Sequence, residues 1–363
     1  MPGSTITRDI GEGFALETQE GLIFTVKGLV HPPDAVIAYL RYVPSPRGER
    51  VREGVGYRRV YHFDEQVRIL EELFPEYLFF DPVFGTRLQG VSHARVRRVY
   101  DPRHKLAELR QRGAGDQVEE AALRFTALLR RTAGVPATSL GVSGSVLVGL
   151  HTPASDLDLV VYGVEAGRKV HHALRHLLAE PSSEVTRLDG QGLRALHAAH
   201  AADTGVSFDD FVRLQARKVN EGRYRGREYF VRFVKGAAES GERYGDRRYT
   251  PLGVARIRAR VTDDSEAIFT PCRYGVEEVR FLTGEQVAGL REIVSYRGRF
   301  SEQARAGEGV VAQGELERVT FQACPERGQS DSVIYHRLVV GGRRGDYLIS
   351  QGQGSEADEK TKG

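Results

Sequence analysis

The chain has 363 residues, 40% of them hydrophobic and 28% charged, and its formal net charge is +3. This length and composition are those of a soluble globular protein with two or three domains, and two cysteines are too few for a disulfide framework or a four-cysteine zinc site. No stretch approaches the roughly 18 apolar residues of a membrane-spanning helix, and the first residues contain no apolar segment of a signal peptide. We therefore expect a cytoplasmic protein without a membrane partner.

Residues 1–112 are predicted to form an N-terminal α+β module. Segments 21–30 and 35–43 have the β-branched and aromatic content of strands, and residues 64–74 have the apolar spacing of a helix that ends before Pro75. A linker is predicted at 110–115. This module contains no recognisable motif.

Residues 113–250 are predicted to form a central α/β domain, in which helices and strands alternate around a mixed sheet. Its first helix, 116–134, has Asp116 and Glu119 as capping residues and ends at Gly134. The other predicted elements are strands 139–142, 157–162 and 227–234 and helices 167–180, 192–202 and 208–219.

From residue 251 the pattern changes to short strands separated by turn residues, which predicts a mostly antiparallel C-terminal β domain over 251–350. Its predicted strands are 254–261, 266–272, 309–321 and 333–340. The polar tail 351–363 is expected to be disordered. The predicted fold class is thus α+β and multidomain.

The clearest chemistry is in the segment GVSGSVLVGLHTPASDLDLVVYG, residues 141–163. Asp156 and Asp158 are two residues apart in a predicted strand, so both carboxylates face one side. Such close like charges repel unless a cation lies between them, and carboxylates are suitable ligands for Mg²⁺ or Mn²⁺. Gly144 allows a close backbone approach, and Ser145 begins a helical turn whose N–H groups and hydroxyl can hold phosphate oxygens. This combination predicts phosphoryl or nucleotidyl transfer.

The segment contains a Gly-Ser pair, nine further residues and then the sequence Ser-Asp-Leu-Asp. This pattern resembles the signature of the nucleotidyltransferase superfamily, which includes DNA polymerase beta and the minimal nucleotidyltransferases. The whole chain is similar to uncharacterised, largely archaeal predicted nucleotidyltransferases. The resemblance implies an NTP substrate and a Mg²⁺ or Mn²⁺ ion. The residues that it places on the nucleotide are Gly144, Ser145, Gly149 and Ser155, and those on the metal are Asp156 and Asp158.

The resemblance also implies a third carboxylate on a later strand, and here the sequence departs from the pattern. Strand 227–234 has only Glu228, at its start, and the other candidate is Glu184 in a short segment. Val148 occupies the place of a loop arginine that is common in minimal members. A weakened or inactive enzyme is therefore also compatible with the sequence.

A basic segment follows the motif, with fourteen Lys and Arg against five Asp and Glu between Arg213 and Arg260. Arginines interleaved with tyrosines are suited to phosphates and unstacked bases, which predicts an RNA-binding surface. Alternatively, because 45 of the 52 basic residues are arginine, the cluster is simply a solvated surface. The candidate nucleic-acid residues are Arg225, Arg227, Arg247, Tyr224 and Tyr244.

We therefore expect a metal-dependent nucleotidyltransferase that transfers a nucleoside monophosphate from an NTP such as ATP to an unidentified hydroxyl acceptor, with RNA as a candidate acceptor. The alternative is a catalytically degenerate protein that binds a nucleotide or nucleic acid in the same cleft. A third interpretation is that the two aspartates lie on a solvent-facing strand edge and bind nothing.

Overall fold

The computed structural model describes residues 10–201, 205–321 and 333–352. Over these ranges the chain is a mixed α+β protein with three sheets and eight helices, which confirms the α+β class. The strands are β1 (Ala15–Thr18), β2 (Ile23–Val26), β3 (Ala35–Pro44), β4 (Arg50–Arg52), β5 (Val55–Arg59), β6 (Leu78–Asp81), β7 (Thr86–Ser92), β8 (Val96–Tyr100), β9 (Leu140–Val142), β10 (Leu157–Tyr162), β11 (Val185–Thr186), β12 (Glu221–Tyr224), β13 (Arg227–Val234), β14 (Arg247–Asp263), β15 (Cys272–Thr283), β16 (Leu290–Ser295), β17 (Gly309–Phe321), β18 (Val333–Val339) and β19 (Tyr347–Gly352). The helices are α1 (Phe63–Leu73), α2 (Pro102–Arg112), α3 (Gln117–Ala133), α4 (Gly144–Leu147), α5 (Val164–Ala179), α6 (Gly190–Ala201), α7 (Phe208–Gln215) and α8 (Ala237–Ser240).

The chain divides into two compact units, and their boundaries differ from the predicted domains. The first unit contains residues up to 81 together with 86–186 and 219–244, and the second contains 82–85, 187–218 and the chain from 245 onward. The predicted boundary at 112/113 therefore falls inside the first unit. Residues 110–112 end α2, so only 113–116 form the connection that the sequence predicted as a longer linker. Of the predicted tail, 351–352 belong to β19, and 353–363 lie outside the described residues.

The first sheet of the first unit has the strand order β4-β5-β3-β2-β1-β8, and β7 joins β3 to β6. All of its pairings are antiparallel. Its apolar face packs into a core that includes Leu16, Phe24, Leu40 and Tyr77. A second cluster includes Tyr42 and Tyr57 of this sheet together with Leu147 and Leu150, which explains why the predicted N-terminal module is not a separate unit.

The second sheet of the first unit is mixed, with the order β11-β12-β13-β10-β9. β10 and β13 are parallel, and the other pairs are antiparallel. α3 and α5 pack against β10. The predicted start and end of α3 are confirmed, because Asp116 accepts hydrogen bonds from the amides of Val118 and Glu119 and Gly134 adopts a left-handed conformation. Leu157, Leu159 and Val161 alternate with Asp158 and Val160, so opposite faces of β10 hold apolar core and acidic residues.

In the second unit, five strands pair in the order β14, β15, β16, β18 and β17. β17 also pairs with β14, which closes the five strands into a barrel. Only β16 and β18 are parallel in this ring. This is the strand order of an OB-fold barrel. Alternate residues such as Ile257, Tyr274 and Leu316 fill its interior. The strand predicted over 266–272 is wrong for most of its length, because residues 264–271 form the turn before β15.

No helix in the described ranges is long and apolar enough to cross a membrane.

A buried carboxylate ties the segment before β1 to β13. Glu12 is fully buried and accepts hydrogen bonds from the Gly28 amide at 2.8 Å and the Lys27 ammonium at 3.2 Å. It also pairs with the Arg232 guanidinium. Burial raises the pKa of Glu12, but Lys27 and Arg232 hold that pKa below its usual value. Removing the carboxylate would leave two cations without their main partner.

We expect Glu12→Ala to lower the free energy of unfolding by about 3–5 kcal/mol, because it breaks a buried ion pair from one side. Urea denaturation at neutral pH measures this. Glu12→Gln should lose less, since its amide oxygen can still accept from Gly28. Glu108→Ala is the control, because Glu108 pairs with Lys105 and Arg112 at the surface and such pairs contribute up to about 1 kcal/mol. An equal loss in Glu12→Ala and Glu108→Ala would contradict the role of Glu12.

Candidate functional site

A cleft in the first unit is lined by the acidic pair, by the start of α4 and by residues of the first sheet. Its lining residues are Ala15, Ile23, Thr25, Arg41, Tyr42, Arg59, Gly144, Ser145, Leu147, Val148, Asp156 and Asp158. Four of the residues that the sequence singled out, Gly144, Ser145, Asp156 and Asp158, are therefore brought together.

Gly144 is required where it stands for two reasons. Its φ is +60°, a conformation that L side chains rarely adopt. A Cβ atom at this position would lie 1.9 Å from Oδ2 of Asp158, so the carboxylate rests against the bare backbone. The close approach follows from the pairing of β9 with β10, in which the Ser143 amide donates to the Asp158 carbonyl at 2.8 Å.

The first turn of α4 has no side-chain cap. Ser143 occupies the N-cap position, but its hydroxyl donates to the Gly13 carbonyl at 2.7 Å. The Leu147 amide donates to the Ser143 carbonyl at 3.3 Å, whereas the first-turn amides of Gly144, Ser145 and Val146 have no backbone acceptor among the described residues. The hydroxyl of Ser145 has no hydrogen-bond partner among the described residues, although the side chain lines the cleft. Amides and hydroxyl together offer donors beside the acidic pair.

Asp156 and Asp158 are half-buried and lie on the face of β10 opposite to α3 and α5. Burial, followed by the charge of Asp156, raises the pKa of Asp158 to about 6. Arg232, Arg41 and Arg59 act in the opposite direction but do not cancel the increase. The pKa of Asp158 thus stays raised in spite of three nearby guanidinium groups.

Arg41 and Arg59 are site residues that the sequence analysis missed. Arg41 lies on β3 and Arg59 at the end of β5, so both come from the sheet that showed no motif. Their guanidinium groups lie 4.4 and 4.3 Å from the ring centroid of Tyr61, which is 57% exposed. Burial and the charge of Arg59 lower the pKa of Arg41. The available signal was a charged residue in the otherwise apolar strand AVIAYLRYV.

The loop after α4 is held by two arginines of β4. Arg50 donates to the Leu150 carbonyl at 2.6 Å, and Arg52 donates to the Val148 carbonyl at 3.2 Å. Gly149, between these carbonyls, has a φ of +69°. It is not among the cleft residues, so it shapes the loop.

Ser155 is also placed outside the cleft lining. It is buried, and its hydroxyl accepts from the Thr152 amide at 2.9 Å, which fixes the turn that leads into Asp156. The resemblance placed Ser155 on the nucleotide, but this residue does not line the cleft.

Neither predicted third carboxylate joins the aspartates. Glu184 pairs with Arg225 beside β11, at the far edge of the sheet. Glu228 is exposed on β13 and pairs with Arg223 at 3.6 Å. Within the described ranges, no group of three His, Cys, Asp or Glu side chains is placed to hold a metal ion.

The position beside Asp158 across the sheet is occupied by Phe230, and the residue beyond Phe230 in the same row is Glu221 on β12. Two strand spacings separate Asp158 from Glu221, which is about 9.6 Å.

Two carboxylates nevertheless fit Mg²⁺, because proteins commonly hold this ion through one or two carboxylates, with substrate phosphates and waters completing the octahedron. The raised pKa of Asp158 is consistent with this donor set, since a cation would relieve the repulsion that causes part of the shift. Asp156 and Asp158 are the residues that would hold the ion.

Two candidate nucleic-acid arginines are engaged within the protein. Arg225 donates to the Glu184 carboxylate at 2.6 Å. Arg227 donates to the carbonyls of Pro153 at 2.9 Å and Ser155 at 2.6 Å, so it buttresses the loop before β10. These contacts assign both side chains structural partners.

Tyr224 does not offer a free ring to a base. It is 2% exposed and stacks on Phe125 with ring centroids 4.6 Å apart, so the prediction for this residue is wrong. The Tyr244 hydroxyl donates to Asp81 at 3.0 Å. Arg247 belongs to the second unit, where it donates to the Tyr335 hydroxyl at 3.5 Å. The five candidate nucleic-acid residues therefore do not form a single surface within one unit.

A comparison with curated proteins found a relative in Methanocaldococcus jannaschii, "Uncharacterized protein MJ1086", which is 30% identical over 337 residues. The match covers 91% of this chain and 94% of the relative. No description of a known protein family matches the chain, and no solved structure matches it.

The raised pKa of Asp158 predicts a pH-dependent stability of the metal-free protein. A folded-state pKa of about 6, above the usual 3.8, means that ionisation of Asp158 opposes folding. Stability should therefore fall as pH rises from about 4 through 6. Asp158→Asn removes this dependence, so at pH 8 the variant should exceed the wild type by about 3 kcal/mol in the free energy of unfolding, with a smaller difference at pH 4.5.

Urea denaturation in EDTA at the two pH values measures the effect. Asp34→Asn is the matched control, because Asp34 is exposed and far from the acidic pair in the sequence. The electrostatic account would be contradicted if the free energy of unfolding of Asp158→Asn differed from that of the wild type by the same amount at both pH values. It would also be contradicted if Asp34→Asn showed a similar pH-dependent difference.

Proposed function

The chain belongs to the family of the uncharacterized protein MJ1086, whose name carries no activity, and from the cleft we propose that it is a metal-dependent nucleotidyltransferase. The proposal rests on one observation. A pair of half-buried aspartates, the uncapped first turn of α4 and two arginines line the same cleft. This combination suits a triphosphate with its cation.

In the proposed complex, the α4 amides, Ser145, Arg41 and Arg59 bind the phosphate oxygens of an NTP. Charged donors are suited to this role, because hydrogen bonds from guanidinium groups to phosphate are shorter and stronger than neutral ones. Asp156 and Asp158 would hold Mg²⁺ or Mn²⁺, which when bound supplies charge neutralisation on the phosphates. Gly144 keeps the backbone close enough for both sets of ligands to reach one triphosphate.

The proposed reaction is an in-line displacement at the α-phosphorus. A hydroxyl oxygen of the acceptor forms the new P–O bond, the bond between the α-phosphorus and the bridging oxygen breaks, and pyrophosphate leaves. The hydroxyl proton passes to a base or to solvent. Arg41 and Arg59 carry a fixed positive charge and would stabilise the charge that develops on the departing pyrophosphate. RNA is one candidate acceptor.

A second candidate function is nucleotide binding without turnover. It is favoured by the absence, among the described residues, of a third carboxylate near the pair. The two functions share the nucleotide site and differ only in pyrophosphate release.

We expect Mg²⁺ with an NTP to raise the melting temperature of the wild type by a few degrees at saturating nucleotide, since a ligand selective for the folded state stabilises it. Asp156→Asn with Asp158→Asn should abolish the shift. Differential scanning fluorimetry with each of the four NTPs measures it. A shift that persists in the double variant would place the nucleotide elsewhere.

Transfer itself is tested with α-labelled NTPs, Mg²⁺ or Mn²⁺ and RNA, protein and small hydroxyl acceptors, with pyrophosphate release as the readout. Asp158→Asn should lower the rate by about 10²–10³, as expected for the loss of one preorganised electrostatic group. Nucleotide binding without any pyrophosphate from the wild type would support the second candidate function.

Arg59→Gln should weaken NTP binding by about tenfold or more, because a charge-assisted hydrogen bond contributes about 1.5–3 kcal/mol. Arg58→Gln is the matched control, since the neighbouring Arg58 pairs with Glu65 and is not among the cleft residues. Isothermal titration with a non-hydrolysable NTP and Mg²⁺ measures both. Equal losses in the two variants would contradict the assignment of Arg59.

A further inference from the structure

One face of β14 in the barrel carries a row of exposed arginines. Arg256, Arg258 and Arg260 are exposed, and the intervening Ala255, Ile257 and Ala259 are buried in the barrel. Alternate residues of a strand lie on one face, about 6.7 Å apart. Three cations are therefore spaced regularly along the outside of the barrel.

The neighbouring strands neutralise this row only at Arg260. Arg258 is directly opposite Arg280 of β15, and like charges opposite each other destabilise a sheet. The acidic neighbours Glu277 and Glu278 both pair with Arg260. Arg256 and Arg258 form no ion pair with the described carboxylates. Arg256 and Arg258 therefore keep guanidinium groups that can donate to an anion.

On the other side, the row is bordered by uncharged residues and an aromatic ring. Arg258 is opposite Val311 of β17, and Arg256 is opposite Gln313. Gln313 is in turn opposite Tyr347 of β19, so Arg256, Gln313 and Tyr347 share one face. The Arg256 guanidinium lies 6.0 Å from the centroid of the Tyr347 ring. A row of exposed arginines with a ring beside it is suited to a nucleic-acid strand whose bases are unstacked.

We propose that this face of the barrel, formed by Arg256, Arg258, Arg280 and Tyr347, binds single-stranded nucleic acid. The arginines contact successive phosphates, and Tyr347 stacks against a base. Fold alone does not imply this function, and the OB-fold strand order is not its basis. β15 and β16, whose outer face OB-folds commonly use, carry Glu277, Glu278 and Glu292 beside Arg280 and Arg291 here, whereas β14 has no acidic residue between Arg256 and Arg260. The charge pattern favours β14.

The experiment uses the full chain and a fluorescein-labelled 15-residue oligouridylate, with anisotropy measured from 50 to 300 mM NaCl. The variant Arg256→Gln with Arg258→Gln and Arg280→Gln should bind at least tenfold more weakly at 100 mM NaCl. Its log–log salt slope should be shallower by about 2, because each phosphate contact on a single strand contributes about 0.7.

The matched control removes three other exposed arginines of the second unit, Arg248→Gln with Arg305→Gln and Arg318→Gln, and should stay within about twofold of the wild type. Tyr347→Leu should weaken binding about fivefold or more without changing the slope, and Tyr347→Phe should bind like the wild type. Circular dichroism checks that each variant is folded. If Tyr347→Leu is not folded, a weakened Tyr347→Phe would itself contradict the stacking role.

No binding of the oligouridylate at 50 mM NaCl would overturn the proposal, as would equal losses in the arginine variant and its control. Inorganic polyphosphate of matched charge serves as the competitor. If the protein binds polyphosphate and the oligouridylate equally well, and Tyr347→Leu does not weaken oligouridylate binding, the face is a general polyanion surface. That result would overturn the assignment to nucleic acid. The double variant Asp156→Asn with Asp158→Asn should bind the oligouridylate normally. The outcome is therefore independent of the proposed transferase activity.

Discussion

Two like charges, those of Asp156 just before β10 and Asp158 within it, are held half-buried side by side, and both sheets of the first unit place residues around them. β9 brings Gly144 against the Asp158 carboxylate, and the first sheet adds Arg41 and Arg59 from the other side. Arg232 is close enough to lower the pKa of Asp158, yet it is paired with the buried Glu12. Because Glu12 competes for Arg232, that guanidinium compensates only partly for the aspartates. Burial, followed by the charge of Asp156, outweighs the three guanidinium groups, and the pKa of Asp158 therefore stays raised.

Local chemistry made part of this structure predictable. The cap at Asp116 and the left-handed Gly134 bounded α3, since both act within a few residues of the helix ends. The strand containing Asp158 and the turn that begins at Gly144 followed from apolar alternation and from a residue type that tolerates positive φ. Such signals depend only on neighbours in the sequence, which is why they were readable without a structure.

Contacts between distant segments were not predictable in the same way. Arg41 and Arg59 reach the cleft from strands about 100 residues away in the sequence, and the only signal was one arginine in an apolar strand. The packing of Leu147 and Leu150 on Tyr42 and Tyr57 likewise joins two predicted domains into one unit. Composition also gave a poor basis for predicting nucleic-acid residues. An arginine that donates to backbone carbonyls, such as Arg227, cannot be distinguished in the sequence from one that faces solvent.

The absence of a third carboxylate near the pair, within the described ranges, bears on how a triphosphate could be neutralised. Two metal ions in one site are usually about 3.5–4 Å apart and need shared carboxylate ligands, whereas the residue beside Asp158 across the sheet is Phe230. Under the proposed function, Asp156 and Asp158 therefore serve a single ion. Arg41 and Arg59 then supply the positive charge that a second ion would provide, and arginine stays charged at all accessible pH values.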